Sequence, residues 1–236
     1  MTAPADFQDT IYALASGAGR AGVAIIRLSG GAAGAALRAL TGRDLPSPRT
    51  AVRARFFGPG TDRVLDDGLA LWFPGPASFT GEDVAELHIH GGPAVIAGTL
   101  AALAEIAGVR PAEAGEYSRR AFENGKLDLT EAEGLADLVA AETEAQLGQA
   151  RRQYGGELGR LYDGWRQRLL RALALIEAEI DFSDEELPAG QTARVLAGLA
   201  ALDADLAGHL ADGGRGERLR QGLYLAIVGP PNAGKS

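Results

Sequence analysis

The sequence contains no cysteine, which excludes a disulfide framework and any metal site built from thiolates. Aromatic residues make up 6% of the chain and methionine occurs once, so the core must consist mainly of Ala, Leu, Val and Ile. Its apolar runs, such as LYLAIV, are far too short to span a bilayer. No positively charged segment precedes an apolar run at the N-terminus, so we expect no secretory signal. These absences predict a cytoplasmic protein without a membrane partner.

Basic residues are also fewer than acidic residues. The chain has 23 Lys and Arg against 31 Asp and Glu, a formal net charge of −8 at pH 7. A generally basic nucleic-acid-binding surface is therefore not expected, and a nucleic-acid partner would need local basic patches or parts of the protein outside this sequence. The length of 236 residues suits one or two domains.

The first half of the chain mixes strand and helix patterns. Compact apolar runs predict strands at Val23–Leu28, Leu69–Phe73 and Val84–His90, and the third alternates between apolar and polar residues. A proline after Gly-Gly then begins a predicted helix, Pro93–Ala107. We interpret residues 1–118 as an α+β domain.

The second half is helical in pattern. Thr130 and Glu133 have the spacing of a capping box. Apolar residues recur every three or four positions through Leu161–Ile180 and again through Val195–Leu210, as in amphipathic helices. We interpret residues 119–221 as the first part of an all-α domain.

The chain finishes with a phosphate-binding motif. A buried-type strand, Leu223–Val228, leads into GPPNAGKS, Gly229–Ser236, which matches G-x-x-x-x-G-K-[ST] at every fixed position. Such a loop wraps phosphates with backbone N–H groups, and its Lys and Ser reach phosphate and Mg²⁺. A chance glycine-rich turn is the alternative. We interpret residues 222–236 as the incomplete start of an α/β nucleotide-binding domain.

That domain lacks its remaining parts. The loop normally opens a helix whose N-terminus attracts the anion, and nothing follows Ser236. We therefore expect a piece of a longer protein, which neither binds nor hydrolyses nucleotide by itself.

Four stretches together resemble the MnmE (TrmE) family of tRNA-modification GTPases. They lie in Asp9–Gly30, Phe73–Pro93, Pro111–Leu138 and GPPNAGKS, in that order along essentially the whole chain. The resemblance implies a folate-binding, dimerising α+β domain, followed by a helical domain that an inserted GTPase domain (G domain) interrupts.

The resemblance also implies cofactors and partners. Family members form homodimers and work with the FAD-dependent MnmG (GidA) to form an aminomethyl-type group at C5 of the wobble uridine of certain tRNAs. Their cofactors are 5-formyltetrahydrofolate or tetrahydrofolate, GTP, Mg²⁺ and K⁺. The family's cysteine-containing C-terminal segment is not in this sequence, so no catalytic residue for the modification is assigned.

The resemblance further implies two sets of binding residues. For 5-formyltetrahydrofolate they are Arg27, Glu86 and Lys126. For GTP they are Asn232, Ala233, Gly234, Lys235 and Ser236, with Asn232 also holding K⁺ and Ser236 holding Mg²⁺. The chemistry of the folate set agrees, because a carboxylate can accept from a pterin amide and amine. The carboxylates of the folate tail suit either Arg27 or Lys126.

Each folate residue also has a plainer interpretation. Arg27 and Lys126 can be solvated charges, as charged side chains usually are, and Glu86 can be solvated on the polar face of its strand. His88 and His90 share that face and suggest a metal pair. The absence of cysteine and of further histidine nearby favours ordinary strand histidines.

Other charged pairs are interpreted more simply. We interpret Asp66 and Asp67 as charged side chains in a turn that face solvent. Arg119–Arg120 and Arg151–Arg152 either contact tRNA phosphates or face solvent.

Two other functions stay open at this point. One is a non-enzymatic folate-binding or assembly module whose phosphate loop is a vestige. The other is an ATPase, because the loop alone does not read the base. D-x-x-G and N-K-x-D motifs further along would identify a GTPase.

Overall fold

The computed structural model describes residues 9–181, 190–211, 214–221 and 228–229. They form an α+β unit followed by a helical unit, which confirms the predicted fold class for these two parts. The predicted start of the G domain lies outside the described residues except for Val228 and Gly229. Among the described helices, none has the length and apolar character that crossing a membrane requires.

The first unit is built on a mixed sheet of six strands in the order β3-β4-β5-β2-β1-β6. Neighbouring strands are antiparallel except for the parallel pair β1 and β6. The strands are β1 Thr10–Leu14, β2 Ala21–Ser29, β3 Val52–Phe57, β4 Val64–Phe73, β5 Val84–Gly91 and β6 Val109–Pro111. All three predicted strands are confirmed, since they lie within β2, β4 and β5.

Three helices complete this unit: α1 Ala33–Thr41, α2 Pro93–Ala104 and α3 Glu116–Glu123. Helix α2 ends before Ala107, the predicted end. The N–H of Ile106 bonds to the carbonyl of Leu103, three residues back, so the last turn tightens and the α-helical pattern stops.

The core lies where α1 and α2 pack against one face of the sheet. Strand β5 contributes Ala85, Leu87 and Ile89, all at most 2% exposed, and β2 contributes Ile26 and Leu28. Burying each large aliphatic side chain stabilises the fold by about 1.5–3 kcal/mol. The alternation predicted for β5 is confirmed, and it turns Glu86 and His88 to the opposite face of the sheet.

In the residues that the structure describes, the second unit consists of helices. They are α4 Leu129–Ala140, α5 Glu144–Tyr154, α6 Glu157–Asp181, α7 Gln191–Leu210 and α8 Arg215–Gln221. The two predicted amphipathic helices lie within α6 and α7. Many apolar side chains of α6 are exposed, among them Leu169, Leu173 and Ile180.

The predicted capping box of α4 is wrong by two residues. Asp128 is the N-cap, and its carboxylate accepts from the N–H of Glu131 at 2.7 Å. Glu131 in turn accepts from the N–H of Asp128 at 2.8 Å. Thr130 already lies inside the helix and donates its hydroxyl to Asp128, because the extended backbone required of an N-cap occurs at Asp128.

The two units divide between Leu127 and Asp128, further along the chain than the boundary expected after residue 118. The physical reason is α3. Its side chains Glu116 and Arg120 are buried in polar contacts with the sheet unit, so α3 and the turn after it belong to that unit.

Candidate functional site

A cleft of about 500 Å³ lies in the first unit beside the loop that joins β4 to β5, residues 74–83, here called the β4–β5 loop. Its walls come from β2, β4, β5, this loop, the segment before β3 and the turn after α3. The lining residues are Arg27, Arg49, Phe73, Ala77, Ser78, Phe79, Val84, Glu86 and Lys126. The structure thus brings together the three side chains that the sequence resemblance assigned to folate.

Glu86 is held by basic groups on both sides. Antiparallel pairing places Arg27 opposite Glu86, and the Arg27 Nη2 atom lies 2.8 Å from Glu86 Oε1. Nε of Arg27 donates to the same oxygen at 2.9 Å, and His88 Nε2 lies 3.2 Å from Oε2. Each carboxylate oxygen keeps acceptor capacity for a ligand. The cleft therefore presents an oriented, mostly buried carboxylate.

Two aromatic rings flank Arg27. Its guanidinium carbon lies 5.9 Å from the ring centre of Phe79 and 6.0 Å from that of Tyr117, within cation–π range. The Tyr117 hydroxyl donates to the Arg27 carbonyl at 2.6 Å, and burial raises the pKa of this phenol, which keeps its proton in place. Tyr117 was not predicted as a site residue, because its partner, the Arg27 carbonyl, is far away along the chain.

Lys126 and Arg49 both contact the β4–β5 loop. Lys126 Nζ donates to the carbonyl of Pro76 at 3.0 Å, and the Arg49 guanidinium donates to the neighbouring carbonyl of Ala77. That guanidinium also lies 5.7 Å from the ring centre of Phe73. Arg49 has a φ of 62°, a conformation uncommon outside glycine that clusters at functional sites. No sequence motif marks Arg49, so it was not predicted as a site residue.

Polar contacts anchor the far end of the β4–β5 loop. The Ser29 hydroxyl donates to Glu82 Oε2 at 2.6 Å, and Arg120 Nη1 donates to Glu82 Oε1 at 3.1 Å. Asn124 Nδ2 donates to the carbonyl of Thr80 at 2.8 Å. The wall of the cleft is thereby tied to β2 and to α3.

Arg120 is the centre of a buried ionic network. Its guanidinium lies 2.7 Å from Asp9 Oδ1 and 3.0 Å from Glu116 Oε1, and Arg110 contacts both of these carboxylates. The hydrogen bond from Arg110 is the main reason that the pKa of Glu116 falls to about 2. Neither interpretation of Arg120 as a tRNA contact or a solvated charge is correct, because its side chain is 0% exposed.

The histidines make protein contacts. Besides the contact of His88 with Glu86, His90 Nδ1 lies 2.8 Å from Asp66 Oδ1. Across the part of the chain that the structure describes, no three His, Asp or Glu side chains are grouped to hold a metal ion.

The interpretation of Asp66 and Asp67 as turn charges is wrong, since both lie on β4 and Asp67 pairs with Arg55 across the strands.

Known families match both units of this chain. A model described as the GTP-binding protein TrmE N-terminus matches residues 10–126, and one described as the MnmE helical domain matches residues 129–224. The chain belongs to the MnmE (TrmE) family.

Individual members of the MnmE family are close in sequence. The tRNA modification GTPase MnmE of Parvibaculum lavamentivorans is 63% identical over 228 residues, covering 97% of this chain and 52% of the relative. That of Rhodospirillum rubrum is 59% identical over 240 residues, again 97% and 52%. The human mitochondrial GTPB3 subunit of 5-taurinomethyluridine tRNA synthase is 56% identical over 229 residues, 96% and 46%. The chain spans about half the length of these curated relatives.

The donor set of the cleft fits a reduced folate. Glu86 offers a carboxylate to a ring that carries an amide and an amine, Phe73 and Phe79 offer apolar ring surface, and Lys126 offers an ammonium group to a carboxylate. The GTP, K⁺ and Mg²⁺ assignments that follow from MnmE family resemblance, Asn232 to Ser236, lie outside the described residues.

Proposed function

We propose that this chain is the folate-binding part of a tRNA-modification GTPase and that the cleft described above binds 5-formyltetrahydrofolate. The observation that carries the proposal is the convergence of Arg27, Glu86 and Lys126 on one cleft with aromatic walls. These residues are far apart in sequence, and the sheet register and the β4–β5 loop bring them together.

Each side chain has a defined part in binding. Glu86 accepts from the amide and exocyclic amine of the pterin, and Arg27 fixes the carboxylate in the required orientation. Tyr117 fixes Arg27 in turn through its carbonyl. The bound folate supplies a one-carbon unit. The residues of this chain bind and orient it, and Phe79 and Phe73 limit its contact with water.

The proposal extends to the whole protein. We propose a homodimer formed through residues 1–118 that hydrolyses GTP and acts with the FAD-dependent MnmG (GidA) on the C5 position of the wobble uridine of certain tRNAs. Support comes from the family membership and from relatives called tRNA modification GTPases. Lys235 and Ser236 would serve the phosphates and Mg²⁺, and Asn232 would serve K⁺. In the full-length protein, Lys235→Ala should abolish hydrolysis.

Calorimetric titration of this chain with 5-formyltetrahydrofolate tests the proposal. Glu86→Gln removes the negative charge at nearly constant shape. Losing a hydrogen bond to a charged group costs about 1.5–3 kcal/mol, so affinity should fall roughly tenfold to a hundredfold.

Asp67→Asn is the matched control. Asp67 also pairs with an arginine across two strands of the same sheet, but it does not line the cleft. Unchanged affinity is expected for Asp67→Asn. Equal losses in the two variants, or no loss in either, would contradict the assignment of the cleft.

A further inference from the structure

Arg49 and Lys126 place two cations at a single turn of the cleft wall. They donate to the adjacent carbonyls of Ala77 and Pro76, and both line the cleft. Within the described ranges, the ion pairs found include neither side chain. Carbonyl oxygens satisfy some of their N–H donors but do not neutralise their charge.

The nearby carboxylates are already engaged. Glu86 contacts Arg27 and His88, Glu82 accepts from Ser29 and Arg120, and Asp83 accepts from the N–H of Gly75 at 2.9 Å. The cleft lining itself holds three cations, Arg27, Arg49 and Lys126, against one carboxylate, Glu86. A local excess of two positive charges in a chain of net charge −8 favours an anionic ligand at this end.

Arg49 is held in position before any ligand arrives. Its backbone N–H donates to the carbonyl of Trp72 at 2.8 Å, and its guanidinium lies over the ring of Phe73. The side chain as a whole remains exposed, so its remaining N–H donors are accessible from the cleft. A guanidinium fixed in this way is suited to a planar carboxylate.

We propose that Arg49, together with Lys126, forms the subsite for the glutamate end of the folate, and that Arg49 is a specificity-determining residue. A single glutamate carries two carboxylates, which match the two cations. This inference rests on the proposed function, because it requires the pterin end to lie at Glu86 and Arg27. It also assigns the glutamate tail to Lys126 and Arg49 and not to Arg27, because the Arg27 guanidinium is paired with Glu86.

The test compares two ligands by calorimetry: 5-formyltetrahydrofolate and 5-formyltetrahydropteroate, which lacks the glutamate. The wild-type chain should bind the first more tightly. Arg49→Asn removes the cation but keeps a residue that tolerates positive φ. Because exposed ion pairs contribute modestly, Arg49→Asn should lower the affinity for 5-formyltetrahydrofolate by about threefold to tenfold. It should leave the affinity for 5-formyltetrahydropteroate unchanged. Arg49→Lys should retain part of the preference.

Arg43→Gln is the control, because it removes an exposed arginine outside the cleft lining and should change neither affinity. Equal weakening of both ligands by Arg49→Asn would mean that Arg49 only supports the β4–β5 loop, and this would overturn the inference. No weakening of either ligand would overturn it too. A wild-type chain that binds both ligands equally contradicts this inference alone. One that binds neither contradicts the proposed function as well.

Discussion

Arg120 and Glu116, one turn apart on α3, form an ion pair that is closed to water. Arg120 Nη2 lies 3.0 Å from Glu116 Oε1, and the two side chains are 0% and 1% exposed. The same guanidinium reaches Glu82 in the β4–β5 loop. Arg120 therefore joins α3 to the wall of the candidate folate cleft.

We expect Arg120→Met to destabilise the first unit strongly. Removing one partner of a buried ion pair leaves uncompensated charge and typically costs about 3–5 kcal/mol. The measurement is urea unfolding followed by the fluorescence of Trp72, in a Trp165→Phe background so that the signal comes from this unit alone.

The neighbouring Arg119→Met is the control. Arg119 makes an exposed contact with Glu123 at 3.7 Å, so its loss should cost no more than about 1 kcal/mol. Similar free energies of unfolding in the two variants would show that the buried network does not stabilise the unit.

Glu116 should make the stability of this unit depend on acidity. Its pKa is lowered from 4.5 to about 2 in the folded protein, chiefly by the hydrogen bond from Arg110. A lowered folded-state pKa stabilises the fold fully above about pH 4.5, and this contribution, about 3 kcal/mol, is lost as the pH falls toward about 2.

Urea unfolding across this pH range, read by Trp72 fluorescence, measures the effect. The Glu116→Gln side chain cannot titrate. As the pH is lowered, the free energy of unfolding of this variant should therefore decrease less steeply than that of the wild-type chain. Parallel pH profiles for the two proteins would show that the lowered pKa of Glu116 is not the source of the pH dependence.

We expect Asp128→Ala to weaken α4. Loss of an N-cap side chain costs about 1 kcal/mol, and Asp128 takes part in both hydrogen bonds of the capping box. Glu133→Ala, at the position that the sequence pattern suggested for the box, should change stability by no more than about 0.5 kcal/mol. Unfolding of the helical unit followed by Trp165 fluorescence compares them, and a larger effect at Glu133 would refute the observed cap.

Local patterns predicted the strands and helices whose periodicity is clearest. The alternation through Ala85, Leu87 and Ile89 identified the buried face of β5, because the two-residue period of a strand depends only on neighbouring side chains. Glu86 was correctly placed on the polar face for the same reason. Its assignment to folate came from family resemblance.

The roles of Arg49 and Tyr117 were not predictable in this way. Arg49 acquires its role from a carbonyl of the β4–β5 loop, and Tyr117 acquires its role from a carbonyl of β2. Arg119 and Arg120 are the same residue type at neighbouring positions. The rotation between successive helical residues nevertheless exposes Arg119 and buries Arg120. The cap of α4 was misplaced because Asp128 and Thr130 both suit an N-cap, and only the backbone conformation decides between them.

A crystal structure of this chain with 5-formyltetrahydrofolate would show directly whether Glu86 binds the pterin. We expect the pterin in the cleft, with its amide and amine nitrogens about 2.7–3.2 Å from the Glu86 carboxylate oxygens. A ligand bound elsewhere in the chain, with Glu86 contacting only Arg27 and His88, would contradict it.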